Sequence, residues 1–145
     1  MKVVVSRVKS ANVKVEGKVV GRCDEGLLIL SSFTEGDSQK EIEYLAKKCA
    51  NLRIFDDENG VMNKSILDID GNILSISQFT LYADASKGNR PSYIKALGGT
   101  EAKALYDEFN AQLSTYTEVE TGVFGADMQI EAHHNGPVTI IIESK

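Results

Sequence analysis

The feature that most restricts the fold of this chain is a series of short apolar or β-branched runs, each ended by turn-forming residues. Such runs favour β-strands, and Glu16-Gly17, Asn59-Gly60 and Asp70-Gly71 are turn signals between them. The continuous apolar run 27–30 is typical of a strand buried on both faces. The predicted strands are 3–8, 13–15, 18–21, 27–30, 52–55, 73–82, 118–120, 128–132 and 138–142.

Two longer segments have the periodicity of amphipathic helices. We expect Asp37 to cap a helix over 37–50 and Thr100 to cap one over 100–113. A third, short helix is expected to begin at Pro91 and to end at Gly98-Gly99. Strands dominate and do not alternate regularly with helices, which disfavours a doubly wound fold. The pattern predicts an α+β fold with a largely antiparallel, barrel-like β-sheet and two or three flanking helices.

Length and composition predict one domain covering residues 1–145. No run approaches the roughly 18 apolar residues that span a bilayer, and the first residues lack the apolar core of a signal peptide. We therefore expect a cytoplasmic protein that does not use a membrane. Cys23 and Cys49 form no CxxC pair, so both are expected to be structural, and neither a metal site nor a cofactor is expected.

The net charge of −5 argues against a surface that binds nucleic acid non-specifically, because such binding requires neutralisation of many phosphates. A local basic rim remains compatible with this charge. Segment 87–95 contains Lys87, Arg90 and Lys95 and no acidic residue, so it is the best candidate for contact with an RNA end. The alternative is a solvated loop followed by a short helix.

Familiar catalytic motifs are absent from the sequence, including GxSxG, HExxH, the P-loop and GxGxxG. The only histidines, His133 and His134, are adjacent at a predicted strand end and would face opposite sides. A surface role is expected for both, although one of them could act as a base. A Ser-His-Asp hydrolase is therefore hard to assemble from these residues.

Two segments depart from the usual local sequence patterns of secondary structure, which makes them candidates for a functional site. In 75–84, Gln78 and Thr80 would lie on one face of a strand, and Ser77 and Phe79 on the other. All four could meet one ligand only at a bulge or strand end, or through backbone N–H groups. The alternative is a solvent-facing edge strand in which Gln78 and Thr80 contact water. The second segment, Gly136-Pro137 before a β-branched run, is by itself an ordinary turn.

The run Ser77-Gln78-Phe79-Thr80-Leu81-Tyr82-Ala83-Asp84 resembles the SQFTLYAD motif of D-aminoacyl-tRNA deacylases, and Gly136-Pro137-Val138-Thr139 resembles their GPVT motif. Segments 52–55, 87–92 and 120–128 and the opening through Arg7-Val8 also resemble the family. The resemblance covers nearly the whole chain. It implies hydrolysis of the ester between a D-amino acid and the 3′-terminal adenosine of tRNA, without a metal or cofactor.

The same resemblance implies a homodimer with active sites at the subunit interface. A cis Gly136-Pro137 bond would project two carbonyls into the partner's pocket, where an L side chain would clash and a D side chain would not. Glycyl-tRNA would partly escape this filter. The resemblance assigns Ser77, Gln78, Phe79 and Thr80 to the pocket for the adenosine and aminoacyl group, and Arg7 to bracing the Gly-Pro loop. The ribose 2′-hydroxyl would assist an attacking water, with backbone N–H groups near Phe79 stabilising the oxyanion.

The chain departs from the common family pattern at three places. His134 stands before Asn135-Gly136, Ser31-Ser32-Phe33 replace more usual small apolar residues, and Ala85-Ser86 vary. We interpret the last two as scaffold variation. Two other functions remain open: a non-catalytic module that binds an RNA end or aminoacyl ester, and a small-ester hydrolase with Thr80 as nucleophile.

Overall fold

The structure of the protein, a computed structural model, describes residues 1–144. One six-stranded sheet dominates it, accompanied by a two-stranded hairpin. The strands are β1 (Lys2–Val15), β2 (Lys18–Cys23), β3 (Gly26–Ser32), β4 (Phe55–Asp56), β5 (Met62–Lys64), β6 (Asn72–Ser77), β7 (Val119–Thr121) and β8 (Gln129–Glu143). The helices are α1 (Gln39–Asn51) and α2 (Gly99–Ser114), and a 3₁₀ turn covers Phe79–Tyr82.

The long strand β1 organises the sheet, because it pairs with three other strands. It is antiparallel to β2, β3 and β8, while β3 and β6, and then β6 and β7, are parallel. The predicted strands 3–8 and 13–15 are thus parts of one strand. The hairpin to β2 turns at Glu16 and Gly17, which both have positive φ, as the sequence indicated.

The sheet has apolar layers on both faces, which explains the continuous apolar run in β3. One core cluster contains Leu27 and Ile29 with side chains from α1 and α2. The other contains Leu28, Leu74 and Val13. Alternate side chains of β3 therefore point into different layers, and every position from 27 to 29 must be apolar.

The two outer strands of the order, β2 and β7, approach each other and nearly close the sheet. A Cβ at Gly21 would overlap the carbonyl oxygen of Thr121, and the Arg22 backbone N–H donates to Glu120 Oε1 at 3.2 Å. Only glycine permits this approach. The expected α+β, barrel-like single-domain fold with flanking helices is confirmed, although its sheet is mixed.

Three helix predictions need correction. The cap of α1 is Ser38, whose backbone N–H and hydroxyl donate to Glu41, because Asp37 is occupied by the chain N-terminus at 2.6 Å. Helix α2 begins at Gly99, one residue before Thr100. The expected helix from Pro91 is wrong: segment 91–98 is extended with a single turn, because its hydrogen bonds go to neighbouring segments rather than along a helix.

Three strand predictions also need correction, and they position the site. The predicted strand 73–82 ends at Ser77, where the chain turns into the 3₁₀ segment. The separate strands 128–132 and 138–142 are one strand, β8, which continues through Gly136-Pro137. Segment 52–54 is not a strand, and only Phe55–Asp56 pairs with β5.

Candidate active site

The end of β6 is fixed to the end of β3, and this junction forms the first part of the site. Ser77 pairs with Ser31, and the Gln78 N–H donates to the Ser31 carbonyl at 2.7 Å. The Ser32 hydroxyl donates to the Phe79 carbonyl at 3.1 Å. The polar residues that were unusual for a strand interior therefore lie at a strand end.

Gln78 and Thr80 lie on the same side of this junction and contact each other. The Gln78 side-chain amide donates to Thr80 Oγ1 at 2.5 Å, so the Thr80 oxygen is already an acceptor. Among residues 1–144, no carboxylate, imidazole or amine hydrogen-bonds Thr80 as a base would. The first N–H groups of a helical turn have no acceptor within that turn, and this turn begins at Phe79.

A cavity of about 500 Å³ opens beside the junction. Ser77, Gln78 and Phe79 form part of its wall, together with Gly98-Gly99 at the start of α2. Its remaining lining residues are Ser31, Ser32, Phe33, Ile76, Leu97, Ala102, Phe124, Gly125, Ala126, Met128 and Ile130. Four residues that the family resemblance assigned to the site do not line the described part of this cavity: Thr80, Arg7, Gly136 and Pro137. The wall is mostly apolar with a few polar groups, as expected of a small-molecule site.

Sequence reasoning missed Ser31, Ser32 and Phe33, which we interpreted as scaffold variation. All three are buried and line the cavity. The Ser31 hydroxyl has no hydrogen-bond partner among the described residues. Two consecutive serines at the end of an otherwise apolar strand were the available signal, because a hydroxyl is costly to bury without a function or a partner.

Gly136-Pro137 lies in a wide bulge of β8. Ser6 pairs with Thr139 and Val8 with His134, so two steps along β1 correspond to five along β8. The peptide bond is cis, and Gly136 has a φ of 126° that only glycine adopts readily. Both residues are exposed.

Arg7 lies opposite this bulge and is 8% exposed. Its Nε donates to the Asn135 carbonyl at 2.9 Å, and its Nη1 to the Ile54 carbonyl at 2.7 Å. A Cβ at Gly136 would lie 2.9 Å from Arg7 Nη2. The guanidinium is also 3.5 Å from Asp56 Oδ1, a half-exposed carboxylate. Arg7 thus joins the bulge to the chain before β4.

Within one chain the two motifs are far apart. Arg7 pairs with Leu27, four residues before Ser31 on β3, which corresponds to roughly 13 Å along the strand. Across the sheet, β8 and β6 are separated by β1 and β3. The structure therefore brings Arg7 to Gly136, and Ser77 to Gln78, Phe79 and Thr80, but it does not bring these two groups together.

The remaining candidates are outside the site. His133 and His134 are exposed in the interior of β8 rather than at a strand end. Burial raises the pKa of the Cys23 thiol to about 11 and that of Cys49 to about 12, consistent with structural roles. Residues 1–144 contain no group of three His, Cys, Asp or Glu side chains arranged around a metal position. No described helix is long and apolar enough to cross a membrane.

Residues 4–143 match the family model described as D-Tyr-tRNA(Tyr) deacylase. The chain belongs to this family. Its resemblance to D-aminoacyl-tRNA deacylases is therefore confirmed, and its enzyme class is that of a hydrolase. A D-aminoacyl-tRNA deacylase from Clostridium tetani (strain Massachusetts / E88) is 55% identical, over 100% of this chain and 98% of the relative. One from Thermosipho africanus (strain TCF52B) is 53% identical over the same shares.

Two solved structures place this deacylase-family chain among known folds. One, described as c-Myc DNA Unwinding Element Binding Protein, is 40% identical with a TM-score of 0.95, covering 100% of this chain and 99% of the other. Another, described as a probable eukaryotic D-amino acid tRNA deacylase, has a TM-score of 0.82 at 17% identity, covering 97% of both chains. The second likeness shows the fold alone.

Proposed function

We propose that this member of the deacylase family hydrolyses the ester between a D-amino acid and the 3′-terminal adenosine of tRNA in the cytoplasm. The observation that carries the proposal is the strand-end arrangement of Ser77, Gln78 and Phe79 at the wall of the cavity. A volume of about 500 Å³ suits an adenosine with an attached aminoacyl group.

The apolar wall and the polar strand end suggest a division of roles. Phe124 and Met128 offer apolar surface to a purine ring or an amino-acid side chain. Ser77 and Gln78 supply hydrogen bonds, and we assign the ester carbonyl to the start of the 3₁₀ turn. Backbone N–H groups there would stabilise the negative charge that develops on the carbonyl oxygen.

In the proposed reaction, a water attacks the ester carbonyl carbon, and the bond from this carbon to the ribose oxygen breaks. The ribose 2′-hydroxyl assists the water, and the leaving 3′-oxygen takes up a proton. The products are a free D-amino acid and tRNA with an intact 3′ end. Thr80 positions Gln78 in this scheme, because its hydroxyl already accepts a hydrogen bond and no base adjoins it.

Selection of handedness is proposed to require a second copy of the chain. The exposed Gly136-Pro137 turn is distant from its own chain's Ser77 and Gln78, which supports assigning it to the cavity of another copy. A homodimer would place this turn over the aminoacyl group. Its main chain would exclude an L side chain whatever that side chain's chemistry, and glycine, which lacks one, would be hydrolysed too.

Subunit mixing tests the shared site. A Gln78→Ala homodimer is expected to lose hydrolysis, whereas a Gly136→Ala homodimer is expected to hydrolyse tyrosyl-tRNA with a reduced preference for the D isomer. With a shared site, their mixed dimer contains one fully native site and one doubly substituted, inactive site. It should therefore recover the native preference for D-tyrosyl-tRNA, at up to half of the native rate. No recovery in a mixed dimer verified by mass spectrometry would contradict sharing of the site.

Turnover separates the enzyme from the alternative of a non-catalytic RNA-end or aminoacyl-ester module. Incubation with a hundredfold excess of D-tyrosyl-tRNA should release many equivalents of D-tyrosine, whereas a binding module would release none. A Thr80-dependent small-ester hydrolase would instead cleave simple esters that lack a 2′-hydroxyl. Substrate assistance predicts that such esters, and a 2′-deoxyadenosine ester, are not cleaved.

A further inference from the structure

An exposed apolar group lies beside the cavity. The side chains of Phe79, Tyr93 and Ile94 are 55%, 43% and 90% exposed. The rings of Phe79 and Tyr93 meet edge to face, with centroids 5.3 Å apart. Phe79 also belongs to the cavity wall, so this group continues the rim outward. Contiguous exposed apolar side chains mark interaction surfaces.

The chain that carries Tyr93 and Ile94 is held in place. Asp84 and Ser92 exchange two backbone hydrogen bonds of 2.8 Å. The Thr34 hydroxyl donates to the Lys95 carbonyl at 2.6 Å, and the Leu97 N–H donates to the Phe33 carbonyl at 2.9 Å. We call residues 84–97 the docking segment. Its exposed side chains are presented by a fixed backbone, which lowers the entropy lost when a ligand binds.

The docking segment is also cationic. After Asp84 it contains Lys87, Arg90 and Lys95 and no acidic residue, in a chain whose net charge is −5. None of these three cations forms an ion pair with another residue of 1–144. The Asp84 carboxylate accepts the Ser86 N–H at 2.9 Å and thus serves the turn itself. Aromatic rings beside unpaired cations are the combination that binds single-stranded nucleic acid.

We infer that the docking segment binds the unpaired nucleotides that precede the terminal adenosine. Tyr93 stacks on a base, and Lys87 and Arg90 contact phosphates. This inference rests on the proposed function: with the terminal adenosine in the cavity, the preceding nucleotides must leave past its rim, to which Phe79 belongs. A second copy of the chain fits this surface less well, since a twofold interface would bring the same cations of both copies together.

Two substrates that differ only outside the cavity test the inference. D-tyrosyl-tRNA has the preceding nucleotides, and the D-tyrosyl ester of adenosine lacks them. Tyr93→Ala should raise KM for the tRNA by roughly 5- to 100-fold, from the loss of one stacked base. Its kcat, and both parameters for the adenosine ester, should stay as in the wild type. Tyr93→Phe keeps the ring and should behave as the wild type.

The cations give a second, electrostatic readout. Arg90→Ala and Lys87→Ala should each raise KM for D-tyrosyl-tRNA and reduce the slope of log KM against log salt by about 0.7 per lost phosphate contact. The matched control is Lys47→Ala on α1, an exposed lysine outside the docking segment, which should leave the slope unchanged.

Several outcomes would overturn the inference. Equal losses on both substrates would place Tyr93 in the cavity machinery, and no loss on either would remove the docking role. Dissociation of the Tyr93→Ala dimer in light scattering would make the surface an interface between copies. Fluorescence anisotropy with an unacylated RNA hairpin ending in CCA separates this inference from the proposed function. Binding that depends on Tyr93 without any hydrolysis contradicts only the function, and hydrolysis indifferent to Tyr93 contradicts only the inference.

Discussion

Arg7 Nε donates a 2.9 Å hydrogen bond to the main-chain carbonyl oxygen of Asn135, directly before the exposed Gly136-Pro137 turn. The guanidinium is buried where β8 leaves its register with β1. A buried side chain of the sheet thus holds an exposed bulge in place. This arrangement gives the turn the rigidity that a filter based on main-chain atoms requires.

Arg7→Lys should lower both the free energy of unfolding and the ratio of D- to L-tyrosyl-tRNA hydrolysis. Lysine keeps the charge but lacks the planar fork that reaches the Ile54 and Asn135 carbonyls together. A buried carbonyl without a donor costs about 1–3 kcal/mol, so urea unfolding should show a loss of this size. Arg53→Lys is the control, because Arg53 is exposed. Equal urea midpoints for wild type and Arg7→Lys would show that the two hydrogen bonds of the guanidinium contribute no stability.

Gly136→Ala tests the space and backbone conformation at the turn. The new Cβ would lie 2.9 Å from Arg7 Nη2, at a φ of 126°. We expect a loss of about 1–3 kcal/mol in the free energy of unfolding, with a reduced ratio of D- to L-tyrosyl-tRNA hydrolysis. Gly36→Ala is the matched control, since Gly36 has a φ of 91° but a Cβ added there would meet no atom within 4 Å. Larger destabilisation by Gly36→Ala would refute the argument from crowding.

Thr80→Ala should retain appreciable activity. The Thr80 hydroxyl accepts the Gln78 amide and adjoins no base, so we assign it a positioning role. A loss of about tenfold or less in kcat is expected, compared with about 10²–10³-fold when an oxyanion donor is removed. Single-turnover kinetics on D-tyrosyl-tRNA measure the chemical step directly. Near-complete inactivity of a folded Thr80→Ala protein would instead indicate a nucleophile.

The buried thiols predict a decline in stability at high pH. Burial raises the pKa of Cys23 to about 11 and of Cys49 to about 12, from 9.0. A raised folded-state pKa contributes stability that is complete below the unfolded value and is lost as pH rises towards the folded value. Urea unfolding should therefore show a loss between about pH 9 and pH 11, smaller in a Cys23→Ala, Cys49→Ala protein. A pH dependence identical in both proteins would exclude the thiols as the cause.

Most elements could be predicted because their signals are local. Glu16-Gly17 turns where the sequence indicates, and residues 27–29 of the apolar run are buried between two layers, with Leu30 half-buried. Errors arose where a tertiary contact overrides a local preference. Asp37 is a good cap, but it binds the chain N-terminus, and Ser38 takes its place. Pro91 suits a helix start, but the backbone groups of Ser92 and Leu97 hydrogen-bond Asp84 and Phe33 in other parts of the chain.

Part of the site could also be predicted from the sequence, because some of its signals are local. Polar residues on both faces indicated that a regular strand could not continue through Gln78, and it ends at Ser77. Gly136-Pro137 looked like a turn between two strands, because sequence alone does not show that Arg7 lies beneath it and that β8 continues past it. Ser31 and Ser32 line the cavity because β3 pairs with β6. This is a long-range contact, so the local pattern of two serines after an apolar run could not show what they face.

The central claim is that main-chain atoms of Gly136-Pro137, supplied by a second copy, sort the handedness of the aminoacyl group. The most direct test is hydrolysis of D- and L-tyrosyl-tRNA, prepared on the same tRNA and measured with the same enzyme preparation. We expect rapid release of D-tyrosine and L-tyrosyl-tRNA that decays only at its spontaneous rate. Equal rates of hydrolysis for the two isomers would contradict the claim.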